Sequence, residues 1–146
     1  ASLIPLNDKL LTNCEKLTQS MSKDLSGGDL VHLIGHQEML IQRITRNYYL
    51  YHAGYKTPEV KANLQKLLDR FVSVEEQLSE FGSHNPQFKN GIELGNIQIV
   101  FLKNKVLSID KASKADWITM SKLSDRLREV LHELRLAAEK QLGSAQ

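Results

Sequence analysis

Leu30-Val31-His32-Leu33-Ile34-Gly35-His36-Gln37-Glu38-Met39-Leu40-Ile41-Gln42-Arg43-Ile44 is the stretch whose pattern decides the fold. Leu30, Ile34, Ile41, Ile44, Tyr48 and Tyr51 share one helical register, and Gln37 occupies the same register between Ile34 and Ile41. Spacings of three and four mark an amphipathic helix; a half-buried strand would alternate every second residue. Upstream, Ser26-Gly27-Gly28-Asp29 interrupts the pattern, and Asp29 is placed to cap the helix start. Downstream, Gly54 suits a C-terminal cap.

The same rule repeats on both sides. Leu3, Leu6, Leu10, Cys14, Leu17 and Met21 form an earlier stripe. Thr57-Pro58-Glu59 combines a capping hydroxyl, a first-turn proline and an acid at a helix start. The stripe that follows it reads Val60, Leu64, Leu67, Phe71, Val74, Leu78 and Phe81, with Gly82 as its stop. Residues 83–91 are polar and read as a loop. Met120, Leu123, Leu127, Val130, Leu134 and Ala138 mark a last helix, with Arg126, Arg128, Glu129 and Glu133 on its exposed faces. Residues 92–109 are ambiguous: they are rich in β-branched side chains, and Ile97-Gln98-Ile99 alternates like a strand. Ile97, Val100 and Phe101 also fit a helical face, as do Leu102, Val106 and Ile109, and helix is the favoured reading over an isolated strand pair. The expected architecture is all-α: a single domain over residues 1–146, folded as an antiparallel up-and-down four-helix bundle with room for one extra short helix.

The chain has 146 residues, enough for one core, and 25% of them are charged. The formal net charge is +2, with basic residues interleaved among acidic ones, so the concentrated basic face that nucleic-acid binding requires is missing. One cysteine, Cys14, excludes an internal disulfide and a cysteine zinc cage. No apolar run approaches the roughly 20 residues that cross a bilayer. The chain therefore reads either as a whole soluble protein or as a soluble piece of a membrane protein.

The glutamine–arginine helix carries the unusual chemistry. An unpaired buried amide at Gln37 would cost about 1–3 kcal/mol, so it needs a partner. His32, Gly35, Met39, Gln42, Arg46 and Tyr49 lie on one adjoining face, and His36, Leu40, Arg43 and Asn47 on another. Two readings stay open. Gln37 is a register-setting polar core residue with arginines in surface ion pairs, or the helix lines a polar pocket or a dimer axis. His32 and His36 have a metal-ligand spacing, but no glutamate follows His32 as in the protease motif. Glu129 and His132 have the spacing of di-iron bundles without the second copy such a site needs. Tyr48, Tyr51 and Trp117 read as packing residues, and Gly27-Gly28 lacks the lysine sequel of a phosphate loop. No nucleophile–base pairing is visible, so no catalytic residue, metal or cofactor is expected.

Gly35-His36-Gln37-Glu38-Met39-Leu40-Ile41-Gln42-Arg43-Ile44, followed by Arg46-Asn47-Tyr48, resembles the signature helix of PilJ/NarX-type sensor domains. That helix reads as glycine, a polar tripeptide, then Met-Leu-x-Gln-Arg, with a basic residue and asparagine or tyrosine soon after. Phe81-Gly82, Gly91-Ile92, Trp117 and residues 121–127 agree more loosely, so the resemblance covers roughly residues 28–135. It implies a ligand-sensing bundle, usually a homodimer, held between two membrane-spanning helices of a chemoreceptor or histidine kinase. The domain would then be periplasmic, part of an inner-membrane protein, and attached through flanking helices outside the chain. Gly35, His36, Gln37, Gln42, Arg43 and Arg46 are the candidate ligand-binding residues, with a small anion as one candidate ligand. In relatives that bind nitrate, the glycine and an arginine three residues later meet the anion. Gly35 matches, but the arginine position holds Glu38, which would repel an oxyanion, so nitrate specificity does not carry over.

Overall fold

The structure, a computed structural model, describes residues 27–144. Among these residues are four α-helices: α1 (Gly27–His52), α2 (Pro58–His84), α3 (Pro86–Leu107) and α4 (Lys114–Ser144), with one 3₁₀ turn at Ile109–Lys111. No strand occurs among the described residues. Each helix packs on its two neighbours in the order α1–α2–α3–α4–α1, which makes an up-and-down four-helix bundle. The short connections force neighbours antiparallel, so α1 begins at the pole where α4 ends. The expected earlier helix over residues 3–21 lies outside the described residues.

The stripes read from the sequence are the core. Leu30, Ile34, Ile41, Ile44, Tyr48 and Tyr51 of α1 are buried, as are Leu64, Leu67, Phe71, Val74 and Leu78 of α2. Met120, Leu123, Leu127, Leu134 and Ala138 line the inner face of α4. Thr57 caps α2, its hydroxyl accepting from the Val60 amide at 3.2 Å. Gly54 takes φ 110, the left-handed conformation that ends α1.

Three local expectations are corrected. Asp29 is inside the first turn of α1, where its charge meets the helix dipole, and is not the residue before it. Gly82 does not stop α2, which continues to His84; a Cβ there would come 2.7 Å from Ile92 Cδ1, so a larger residue would make the end of the Ile92 side chain shift. The polar stretch 83–91 is not a loop. Asn85 alone separates α2 from α3, Pro86 starts the new helix at a position that needs no amide, and Phe88 is buried. The ambiguous stretch 92–109 is α-helical to Leu107, with Ile92, Ile99, Leu102 and Val106 buried, and Ile109 is buried in the 3₁₀ turn that follows.

Candidate functional site

The six residues singled out on α1 do not form one site; the helix distributes them around its circumference. Gln37 points inward and is fully buried. Its Nε2 donates to the Phe71 carbonyl oxygen at 3.0 Å and to Glu75 Oε2 at 3.2 Å, while its Oε1 accepts no hydrogen bond. Glu75 is itself only 5% exposed, and burial pushes its carboxyl up to about 7, opposed by the Gln37 hydrogen bond. Its other oxygen rests against α3 at Gly95, where a Cβ would come within 3.1 Å of Oε1. A glycine on α3, a glutamine on α1 and a glutamate on α2 thus build one polar layer across three helices.

His36 is also buried and is held down to about 4, by burial first and then by the charges of Arg70, His32 and Arg43. It is therefore neutral at pH 7. Arg43, half-buried, lies near enough to act on His36, and its Nη1 is buried without a hydrogen-bond partner. His32 is exposed, so the two histidines meet different surroundings. Gly35 is half-buried with open space where a side chain would project. Glu38, three residues after Gly35, pairs with Arg135 of α4 at 3.1 Å.

Gln42 and Arg46 face the α1–α4 seam. There they line a groove of about 590 Å³ together with Thr45, Tyr49, Leu50, Ala53, Ser124 and Arg128. Gln42, Arg46 and Tyr49 are spaced four and three apart, which makes one stripe on α1 that Ala53 extends just past the helix end. Beside them the Thr45 hydroxyl donates to the Ile41 carbonyl oxygen at 2.7 Å and lies 2.9 Å from Ser124 Oγ, bridging the two helices. Tyr49 OH donates to the Trp117 carbonyl oxygen at 3.4 Å, a second link between α1 and α4. Arg46 and Arg128 are both exposed, and neither has an ion-pair partner among the described residues. No acidic residue lines the groove among the described residues.

Sequence reasoning missed Glu75, Ser124 and Arg128. For Glu75 the signal was present: Leu64, Leu68, Phe71, Glu75, Leu78 and Gly82 step by four and three, placing the acid on a core stripe. Ser124 follows Met120 by four residues in the same way. Arg128 carried no signal, because its role depends on which helix pairs with α1.

Comparison of the chain with protein-family models, with curated proteins and with solved structures gives no match.

Proposed function

We propose that the chain is a ligand-sensing input domain, the extracytoplasmic part of a bacterial transmembrane signalling receptor, and that it binds its signal without transforming it. The observation that supports this most is the α1–α4 groove. It draws an unpaired arginine from each of two helices whose Gly27 and Ser144 ends lie at one pole of the bundle. A ligand gripping both helices would favour one relative placement over another, and differential affinity of that kind is what a switch requires. Residues continuing from that pole would carry the displacement toward a membrane. The periplasmic setting and the homodimer rest on the resemblance of the Gln42-Arg43 helix to PilJ/NarX-type domains.

A thermal-shift screen of amino acids, organic acids and small anions tests the proposal, paired with a cysteine cross-link placed across the α1–α4 seam. At least one compound should raise the midpoint and also change the cross-linking rate. A broad library that does neither refutes it.

A second reading has its own support. Leu94, Ile97, Val100 and Phe101 of α3 are each more than half exposed, an apolar outer face that suits an interaction bundle with no small ligand.

A further inference from the structure

We infer that the α1–α4 groove takes a small organic carboxylate, its carboxyl group held between Arg46 and Arg128 and its apolar body laid along Tyr49, Leu50 and Ala53. The inference rests on the sensing reading and names the chemistry of the signal.

Charge makes the first part of the case. Three other cations between elements have acidic partners: Arg135 has Glu38, Lys61 has Asp110 and Lys105 has Asp116. Among the described residues Arg46 and Arg128 have none, yet they line the same groove from facing helices, and none of the eight described residues that line it is acidic. Two guanidinium forks with free donors match the planar, four-lone-pair edge of a carboxylate. Gln42, one turn before Arg46 on the same stripe, adds an amide for a hydroxyl or keto substituent next to the acid.

Size and solvent make the second part. Both arginines are exposed, and ion pairs in that setting are screened and weak, so a bare inorganic anion would gain little from them. A three- or four-atom oxyanion would also leave most of the roughly 590 Å³ to water. That volume is in the range of sites for drug-sized molecules. Tyr49, Leu50 and Ala53 continue the groove beyond Arg46 with an aromatic ring, a branched alkyl group and a methyl. A ligand with a hydrocarbon or aromatic body removes that surface from water, and the arginines then orient it instead of supplying all of its affinity. The Thr45 and Ser124 hydroxyls are already engaged with each other, so they shape the groove more than they select for hydrogen-bonding groups.

Calorimetric titration of the purified domain with benzoate, phenylacetate, hexanoate, acetate, nitrate, benzamide and hexanamide at fixed ionic strength tests this. At least one of the three larger acids should bind roughly tenfold or more tightly than acetate and nitrate, and its amide should fail to compete. Arg46→Gln and Arg128→Gln should each weaken that acid by roughly tenfold, leaving the melting midpoint of the free protein where it was. Amides binding as well as acids, nitrate binding as tightly as benzoate, or indifference to both arginine variants would each overturn the inference. Failure of all three larger acids overturns it too. The wider screen then separates the two levels. A ligand of other chemistry that changes the seam cross-link leaves the sensing reading standing without the carboxylate; silence throughout removes both.

Discussion

Glu75→Gln should make the protein more stable at pH 8 by about 3 kcal/mol and leave its stability at pH 4.5 nearly unchanged. The reason is the cost of ionising a carboxyl between three helices with only the Gln37 amide to answer it. Its proton leaves at about 7 in the folded chain, against an ordinary value of 4.5. Over that interval the native state holds a proton that the unfolded chain has released, so stability falls as pH rises from about 4.5 and levels off above about 7.5. At about 1.36 kcal/mol per pH unit the loss sums to about 3 kcal/mol. An isosteric amide has no proton to lose, and it can still accept from Gln37 Nε2.

Wild-type protein alone would disguise the effect. His36, held down to about 4 from an ordinary 6.5, produces the opposite slope. Between those values the unfolded chain binds the extra proton, so His36 makes stability rise with pH. The two slopes cancel between roughly pH 4.5 and 6.5, and the wild-type curve should be almost flat there. The Glu75→Gln curve should climb with pH over the same range. Urea unfolding at pH 4.5, 5, 6, 7 and 8 measures both proteins, and a 3 kcal/mol gap displaces the midpoint by about 1.5–2 M at pH 8 for a chain of this size. Because the comparison is a difference, other titrating groups drop out. Parallel curves for variant and wild type from pH 5 to 8 would refute the account of a poorly solvated acid at the bundle centre.

Three further outcomes follow from the same geometry. His36→Gln removes the other slope and leaves that of Glu75, so on acidification from pH 7 to 5 it should gain about 2 kcal/mol relative to wild type, read by the same urea series. Gln37→Leu should destabilise by about 1–3 kcal/mol at pH 8, because Glu75 loses its hydrogen-bond donor. Adding Glu75→Leu should recover most of that loss, since two matched apolar groups leave nothing unpaired, and a double-mutant cycle would record the coupling. Changing Leu94, Ile97 and Phe101 together to serine should leave monomer stability within about 0.5 kcal/mol per site. If the α3 face is a dimer interface, sedimentation equilibrium will show the same triple variant to be more dissociated than wild type.

The bundle was legible because helical spacing of apolar residues is a local signal. The inner faces of α1, α2 and α4 could be read residue by residue, down to Gln37 among the buried positions. The α3 segment was harder because it is apolar on two sides. Ile99 enters the core while Ile97 faces out, and that pair imitates a strand's alternation although both sit on one helix. Residues 83–91 resemble a loop in polarity, but Pro86, Phe88 and the small Gly91, whose missing side chain makes room for Leu134, carry the helical signal. The site was legible only in half. Gln42 and Arg46 could be placed on an outward stripe of α1, but Ser124 and Arg128 belong to the site solely because α4 packs beside that stripe. Contacts between distant segments depend on helix order around the bundle, and periodicity within one helix carries no information about it.

The strength of the α1–α4 attachment bears on whether such a seam could switch. Many buried side chains join the two helices, but few of the polar links across the groove are strong. The Glu38–Arg135 pair is partly exposed and contributes about 0–1 kcal/mol, and the Thr45–Ser124 hydroxyl contact about 1 kcal/mol. A ligand that gained only 1–3 kcal/mol more from one helix placement than from another would therefore rival the polar contacts that fix the present one. On the other side of α1, toward α2 and α3, the Gln37–Glu75 layer offers little resistance of its own, with an amide oxygen lacking a donor and a carboxyl close to its midpoint at neutral pH. A core closed entirely by leucine and isoleucine would set a steeper barrier, since every displaced side chain would lose packing. The polar layer and the groove share α1, with Gln37 more than one helical turn before Gln42, so a shift of α1 along its axis would move both together.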